Sequence, residues 1–429
     1  LHRVDRRQRQ MCIRDSPRSI RVCGRFHAYE DSARKVTTGT RLCMDSRIGV
    51  FSMIDQVTIS SATSMATIET LKHANRFYSS YMSVTNDDKS LINLMGETGL
   101  TMPSLDGQQF SVLQEGSGAN SNEFCIHIPT GLLLGTSGIN LSRQSGVGGL
   151  RISITLAPDS MVLFDKNGDA SAGGLDGAFY ELTDLKMVCE VSDQMVSPAP
   201  LEYNSITGFY TTINSTNANL NFSLGLNRVA STMLNFIPSD YLNNLNQNSL
   251  QTINPLTKDG SIADISQIVF TKGGMRYPFD YNIDTSFKNG NKEQVDPQVV
   301  RNFMNSVLPF RKISHTVAGP STINKSYSTN DNAVIDGGAL IGVGCAYDVL
   351  GSDGADFSRE AWGLSMDIGL TDNNPNSAFV FVHHKNTLLD LHYYLHCQRT
   401  LYSFYSDQSH LHLRRMNQAF LSLFHHLVS

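Results

Sequence analysis

The stretch that decides the fold is residues 262–283, which read Ile-Ala-Asp-Ile-Ser-Gln-Ile-Val-Phe-Thr-Lys-Gly-Gly-Met-Arg-Tyr-Pro-Phe-Asp-Tyr-Asn-Ile. Its first part is apolar and rich in β-branched residues, which is typical of a strand. The pair Gly273-Gly274 then allows positive φ angles, and Pro278 biases the residues before it away from helix. The stretch therefore predicts a strand, a forced bend and an extended segment.

Similar strand patterns extend from this stretch in both directions. The clearest is Leu150–Leu156, where four apolar residues alternate with three polar ones, so that one face is buried and the other is solvated. Short strands separated by turn residues at such intervals are typical of antiparallel β-sandwiches. Further strands are predicted at 50–59, 109–114, 123–128, 161–164, 179–191, 205–214, 220–226, 230–237, 264–271, 339–349, 363–369 and 378–382.

Helical patterns occur only twice. Over residues 67–82, Ile68, Leu71, Tyr78 and Met82 recur at helical spacing, which predicts one amphipathic helix. A second helix is predicted from Asp296-Pro297, with Asp as the N-cap and Pro at the first helical position, to Pro309. Each half of the chain thus contains one helix among many strands.

Length and composition favour two large β domains. A chain of 429 residues exceeds the roughly 250 to 300 residues at which single cores stop growing. Charged residues make up only 17%, against about 25% in average globular chains. The two prolines in Ser-Pro-Ala-Pro at 197–200 predict the linker between the domains.

The central stretch resembles a known family of viral proteins. The order strand, Lys-Gly-Gly, two residues, Tyr-Pro-Phe-Asp-Tyr is similar to the second jelly roll of the major capsid proteins of polinton-like and related tailless double-stranded DNA viruses. Residues 46–55, 149–160 and 180–185 resemble successive segments of the first jelly roll. The resemblance covers roughly residues 46 to 389, and its segments follow the family's order along the chain.

The resemblance implies an all-β double jelly roll with short helices in its loops, the first jelly roll at 17–200 and the second at 201–389. It implies pseudo-hexagonal homotrimeric capsomers that assemble into an icosahedral shell, contacts with neighbouring capsomers, and penton and minor capsid proteins as partners in the virion. It assigns purely structural roles and no catalytic, cofactor-binding or metal-binding residues. By this resemblance, the residues that shape the second jelly roll are Gly273, Gly274, Tyr277, Pro278 and Phe279. The residues that set the start of the first jelly roll are Arg47, Gly49 and Phe51.

Both ends of the chain differ from the body in composition. Residues 1–16 contain five arginines and resemble translated sequencing-adaptor sequence, the alternative being a basic arm that binds DNA inside a shell. Residues 390–429 lack glycine and proline and are rich in Leu, His and Tyr, which suggests either a terminal extension or a frame-shifted readout. We exclude both segments from the fold prediction.

Charge and hydropathy narrow the class of partner. A net charge of −5 argues against a broad basic face for nucleic acid, so no sequence-specific nucleic-acid binding is expected. No apolar run reaches the roughly 18 residues of a membrane span. The arginine-rich start lacks the apolar segment of a signal peptide, so we expect synthesis inside a host cell. The seven scattered cysteines predict reduced thiols, several of them buried in strands.

Three motifs suggest ligands but lack parts that the chemistry requires. His392 and His396 have the spacing of a zinc half-site without the glutamate of a zinc protease helix. The acidic loop 165–176 resembles a calcium loop but has Ala170 where glycine is needed, which favours an ordinary polar loop. The glycines at 146–149 and 342–344 open no helix, so we interpret them as bulges or tight turns rather than phosphate sites.

Two other functions are compatible with a β-sandwich. A glycan-binding or adhesive module would be secreted and would form a monomer or a fibre. A β-sandwich hydrolase would place two carboxylates roughly 5 to 9.5 Å apart in a cleft. No spacing in the sequence singles out a nucleophile and a base, so we predict that the chain is not an enzyme.

Overall fold

In the computed structural model the chain forms two β-rich halves. The structure describes residues 12–13, 20–30, 33, 42–45, 48–62, 64–85, 110–112, 122–128, 130–133, 139–140, 150–165, 177–189, 191–192, 201–246, 248–250, 265–277, 306, 326–327, 334–335, 342–347, 353–368 and 376–388.

Strands dominate both halves. In the first half they are β1 Cys12–Ile13, β2 Ile20–Tyr29, β3 Leu42–Asp45, β4 Ile54–Ser61, β5 Thr67–Lys72, β6 Phe110–Val112, β7 Asn122–His127, β8 Ile139–Asn140, β9 Leu150–Leu156, β10 Phe164–Asp165, β11 Phe179–Cys189 and β12 Val191–Ser192. In the second half they are β13 Leu201–Ile213, β14 Asn217–Phe222, β15 Val229–Pro238, β16 Ile265–Lys272, β17 Met275–Tyr277, β18 Ser326–Tyr327, β19 Val334–Ile335, β20 Gly342–Ala346, β21 Trp362–Ile368 and β22 Asn376–Leu388. Besides the helical residue Ser306, the described helical elements are α1 Ala74–Thr85, α2 Asp159–Val162, and the 3-10 turns η1 Gly49–Met53 and η2 Ser239–Tyr241.

The second half is a jelly roll. Apart from the small hairpin β18–β19, its described residues form eight strands in two antiparallel sheets, ordered β13-β22-β15-β20 and β14-β21-β16-β17. Counted along the chain, these orders are first, eighth, third, sixth and second, seventh, fourth, fifth, which is the interleaving of two Greek keys. Phe209 of one sheet meets Phe222 of the other with ring centroids 5.2 Å apart. The two sheets therefore face each other across one core.

The predicted bend is a two-residue hairpin. Lys272 pairs with Met275, and Gly273 and Gly274 between them have φ of +54° and +91°. Two successive positive φ values are the signature of the type I′ turn, whose twist matches that of the flanking strands. The predicted strand, bend and extended segment are confirmed up to Tyr277.

The first half consists of three-stranded antiparallel sheets in the described residues. Their orders are β11-β2-β7, β5-β4-β9, β10-β3-β6 and β12-β1-β8. Central strands pair with partners far along the chain, so that β2 meets β11 and β4 meets β9. Buried side chains of both halves form one continuous apolar cluster. Six strand pairings in this half thus bring together segments separated by about 90 residues or more.

Most predicted strands occur within a few residues of the expected positions, but one predicted helix start and two predicted strand positions are wrong. Residues 67–72 form strand β5 rather than the start of a helix, and α1 begins only at Ala74. Glu69 and Leu71 point to the buried face of this strand while its ends are exposed, and His73 at φ +55° separates strand from helix. Ile68 and Leu71, three residues apart, fit the helical period, and this spacing misled the prediction because the two side chains lie on opposite faces of the strand.

The other two corrections concern short turns. Residues 49–53 form η1 rather than the beginning of a strand, because Gly49 at φ +50° turns the chain and the Phe51 N–H donates to the Ile48 carbonyl over 3.0 Å. Predicted strand 161–164 is mostly the helical turn α2. Its Leu163 N–H donates to the Asp159 carbonyl over 2.8 Å, and only residue 164 is in a strand.

Glycines 342 and 344 mark neither a bulge nor a turn. Both lie inside β20, which pairs with β15 in unbroken register. The space beside Gly344 is filled by the Ser306 side chain, with which a Cβ would collide. Ser306 is itself helical, and the rest of the helix predicted at 296–309 lies outside the described residues. The linker at 197–200, loop 166–176, glycines 146–149 and His392 and His396 also lie outside them.

Candidate functional site at the seam between the halves

The residues predicted to start the first jelly roll lie in a buried aromatic cluster. Phe51 is 1% exposed and stacks on Tyr78, with centroids 5.9 Å apart. The His127 ring meets Phe51 edge-on at 5.0 Å. Gly49 opens the turn that directs Phe51 inward, whereas Arg47 lies outside the described residues.

The second predicted group belongs to the second half. The Gly273 N–H donates to the Ala361 carbonyl over 3.0 Å, which ties the hairpin to the residues before β21. Tyr277 packs edge-on against Tyr347, with centroids 5.2 Å apart. Pro278 and Phe279 lie outside the described residues. Each predicted group therefore contacts its own half, and the two groups do not form a common site.

A densely hydrogen-bonded polar site lies instead at the junction of the halves, which we call the seam. It consists of β5 and α1 from the first half, packed on β13, β15, β22 and residues 241–250 from the second. Glycines allow close backbone approach here. A Cβ at Gly208 would collide with the Lys72 carbonyl, and one at Gly131 with the Asn204 carbonyl. The two halves are therefore in direct backbone contact.

Glu69 is the first buried charge of the seam. Its carboxylate, 3% exposed, accepts the Gly131 N–H over 3.1 Å and the Leu132 N–H over 3.0 Å. From the second half, the Ser205 hydroxyl donates to it over 2.7 Å. Every partner is a donor, so the cradle suits an acceptor with two oxygens. Glu69 thereby joins a loop of the first half to β13.

Burial raises the pKa of the Glu69 carboxyl, and the hydrogen bonds from Ser205, Leu132 and Gly131 oppose that rise. Because the net shift is upward, the folded protein holds this proton more tightly than the unfolded chain does. Stability from this group is present below the ordinary pKa and is lost as the pH rises through the folded pKa. The hydrogen bonds reduce the cost of keeping the carboxylate ionised inside the protein.

Arg76 is the second buried charge. Its side chain, within a residue 2% exposed, donates from Nη1 to the Ser249 carbonyl over 2.6 Å and lies over the Phe379 ring, 4.4 Å from the centroid. Burial lowers its pKa to about 10, with Asp55 and Tyr210 acting in the opposite direction. Arg76 is thus still a cation at neutral pH, and the second half supplies the carbonyl and the π face that stabilise it.

Aromatic rings surround the Arg76 side chain. Phe379 meets the His73 ring edge-on at 5.2 Å and lies 5.0 Å from Tyr210. The next residue of α1, Phe77, meets Phe381 of β22 at 5.3 Å. These contacts between α1 and β22 exclude water from the guanidinium, which strengthens its polar contacts.

Residues 241–246 and 248–250 belong to the second half in sequence, between β15 and β16, but bond to the first half in space. The Asn248 amide donates to the Asp45 carboxylate over 2.8 Å. Ser249 donates from its hydroxyl to the Ser160 carbonyl over 2.9 Å, and the Asp165 N–H donates to the Leu245 carbonyl over 2.7 Å. The seam is therefore reciprocal, because each half contributes groups to the other.

The contacts of the seam join the two halves of the chain. No group of three or more His, Cys, Asp or Glu that could hold a metal occurs in the described part of the chain. Among the described helices, none is long and apolar enough to cross a membrane. Sequence reasoning missed Glu69, Arg76, Ser205 and Ser249. The one available signal was the position of charged Arg76 directly before Phe77-Tyr78, and this pattern does not indicate which distant groups contact Arg76.

Comparison with known proteins shows similarity in structure but not in sequence. No protein-family model matches the chain, and no curated protein sequence matches it. A chain from the cryo-EM structure of the Sputnik virophage aligns with a TM-score of 0.50 at 10% identity, covering 89% of this chain and 81% of that chain. The Faustovirus major capsid protein aligns at 0.47 and 8% identity over 88% and 79%, and the mavirus major capsid protein at 0.42 and 9% over 87% and 86%.

The alignment with the virophage chain extends over both halves. It therefore includes the first half, whose described sheets have three strands each, as well as the two four-stranded sheets of the second half. With the strand order of the second half, this coverage identifies the chain as an all-β double jelly-roll protein that shares the fold of the virophage chain.

Proposed function

We propose that the chain is a viral major capsid protein that forms pseudo-hexagonal homotrimeric capsomers and assembles, with neighbouring capsomers and with penton and minor capsid proteins, into an icosahedral virion shell. Its role is structural, and no bond is made or broken. The observation that carries the proposal is the pair of jelly rolls joined in one chain and held together by a buried seam. Two rolls per chain give six similar towers in a ring of three chains.

The seam supports this proposal because a capsomer needs the two rolls at a constant mutual angle. A closed ring forms only if every copy presents the same surface to the next. Independent rolls would present variable surfaces and would not close reproducibly. The Glu69 and Arg76 contacts, each made to the opposite half, oppose such movement. The obligate interfaces between the subunits of such a ring bury on the order of 2,000 to 5,000 Å² of surface.

The test is the solution mass of the purified protein, followed by imaging. We expect sedimentation equilibrium to give three times the chain mass of 47.3 kDa, and negative-stain images to show particles with a pseudo-sixfold outline. A monomer at micromolar concentration would contradict the proposal and favour a glycan-binding module, which a glycan array would then test.

A further inference from the structure

Two cysteines lie directly opposite each other in the first half. β2 and β7 pair antiparallel with Cys23 against Cys125. Both side chains are partly buried, with free thiols. Two residues further along each strand, and therefore on the same face of the sheet, Arg25 and Glu123 form an exposed ion pair at 3.2 Å. The cysteines therefore lie on the outward face of the sheet, where a small reagent can reach them.

Strand pairing gives the two thiols the spacing of a disulfide. Directly opposite residues in antiparallel strands have Cα atoms about 4.5 to 5.5 Å apart. Disulfides need a Cα separation of roughly 4.4 to 6.8 Å. The Cys23 and Cys125 thiols are already hydrogen-bonded to each other. Joining them thus requires side-chain rotation and no movement of the strands.

In the register of the described strands, no other cysteine lies directly opposite a second cysteine, and Cys12 lies opposite Ser192 and Asn140. Cys189 is exposed but lies opposite Ile20 at the end of β11. Cys345 is buried and pairs with Thr232 in the second half. Cys43 pairs with Val112 and Phe164. The Cys23–Cys125 pair is therefore a specific arrangement rather than one of several.

The surroundings of the pair affect both its reactivity and its choice of oxidant. Burial and the hydrogen bond with Cys125 raise the pKa of Cys23 to about 11, so little thiolate exists at neutral pH and exchange is slow. The nearby cations Arg21 and Lys186 act in the opposite direction. Their positive charge also attracts an anionic oxidant such as glutathione disulfide.

We propose that Cys23 and Cys125 are a redox modification site, at which exchange with glutathione disulfide forms a reversible disulfide across β2 and β7. One thiol loses its proton and attacks a sulfur of glutathione disulfide, releasing one glutathione. The second thiol then loses its proton and attacks the protein sulfur of the mixed disulfide, releasing the other glutathione. Two protein thiols are oxidised and one glutathione disulfide is reduced to two glutathione molecules. The proposal does not depend on the capsid function.

The cross-link closes a loop of about 100 residues, which restricts the unfolded chain and raises Tm by about 5 to 10 °C. The experiment incubates the purified full chain with glutathione disulfide at pH 8, alkylates the remaining thiols and maps peptides by mass spectrometry. We expect a linked Cys23–Cys125 peptide, loss of two hydrogens from the intact mass, and a rise in Tm that dithiothreitol reverses.

Matched variants separate this reaction from general oxidation. Cys23→Ser is expected to abolish both the cross-link and the rise in Tm, whereas Cys189→Ser, which removes an exposed thiol outside the pair, is expected to keep both. The peptide map of the unmodified chain decides the question even where a variant does not fold. Full alkylation of both thiols after the incubation, or glutathione retained on either of them, would overturn the proposal.

Discussion

At the scale of the residue, the hairpin turn depends on two glycines whose backbone is left-handed. Gly273 and Gly274 have φ of +54° and +91°, a region that β-branched residues avoid. A Cβ at Gly274 has open space around it, since no atom lies within 4 Å. The requirement for glycine at 274 therefore comes from the backbone and not from packing.

Gly274→Val is expected to destabilise the protein by about 1 to 3 kcal/mol and to abolish soluble trimer, because valine must be held at positive φ. Gly274→Asn is the control, since asparagine tolerates this region and occurs in such turns. Urea unfolding and size-exclusion chromatography measure the two effects. A normal trimer from the valine variant would show that the bend is dispensable.

Glu69 illustrates a buried charge whose partners are all donors. In Glu69→Gln, one amide nitrogen must face a backbone N–H of Gly131 or Leu132, which leaves that donor without an acceptor. We expect a loss of about 1 to 3 kcal/mol in the free energy of unfolding. Glu123→Gln, at an exposed ion pair, should change stability by less than about 0.5 kcal/mol. Equal effects of the two substitutions would mean that the cradle does not depend on a carboxylate.

His384 makes stability depend on pH. Burial lowers its pKa to about 4, while its Nε2 lies 3.0 Å from the Thr207 hydroxyl. The unfolded chain takes up this proton near pH 6.5 and the folded protein does not, so stability falls as the pH drops from 6.5 towards 4. The loss from this residue reaches about 3 kcal/mol at pH 4.

Urea unfolding at pH 7 and pH 4.5 measures that loss. His384→Gln is expected to remove most of it, since glutamine does not titrate. The same substitution at the partly buried His27, which bonds to Thr183, is the control and should leave it in place. A wild-type protein whose stability is unchanged between the two pH values would refute the assignment.

At the scale of the element, helix α1 joins the halves. Its Arg76 and Phe77 contact Phe379 and Phe381 of β22. Its Ser79 hydroxyl donates to the Arg76 carbonyl over 3.0 Å, and Asn235 of β15 donates to that same carbonyl over 3.3 Å. One face of α1 thus packs on the second half, while its other contacts remain in the first.

Arg76→Ala is expected to lower the free energy of unfolding by about 3 kcal/mol or more, because it removes a buried side chain and leaves the Ser249 carbonyl without its donor. The exposed Arg151 of β9 provides the control, and Arg151→Ala should change stability by less than about 0.5 kcal/mol. Differential scanning calorimetry should also show the single transition splitting into two in the Arg76 variant. An unsplit transition with unchanged Tm would contradict the role of α1.

At the scale of the whole molecule, the two halves form one unit because bonds cross the seam in both directions. Glu69 and Arg76 reach into the second half, and Asn248 and Ser249 reach back into the first. These bonds act independently of the peptide linkage between residues 193 and 200. The fold therefore predicts that the covalent linker is dispensable once the chain has folded.

A protease site inserted between residues 197 and 200 tests this prediction. After cleavage of the folded protein, we expect the two fragments to elute together at the mass of the uncut protein, and to separate only in denaturant. The cut Arg76→Ala variant is the comparison, and its fragments should separate more readily. Fragments of the wild type that separate in native buffer would show that the linker, and not the seam, joins the halves.

The sequence alone determined the local conformation of most strands. Alternating side chains located β9, and Gly273-Gly274 located the hairpin, because pleat and turn depend on residues within a few positions of one another. By resemblance, the order of segments also indicated the double jelly roll. The same kind of local signal failed at residues 67–72, where the three-residue spacing of Ile68 and Leu71 indicated a helix although the chain forms a strand.

Only the tertiary structure decided which strands pair and which charges are buried. Leu201 pairs with Leu388, and the partners of Glu69 lie 62, 63 and 136 residues away along the chain. A buried carboxylate or guanidinium is stable only where such distant donors, carbonyls and rings meet it. That meeting depends on the packing of both halves, so no local pattern around Glu69 or Arg76 could reveal it.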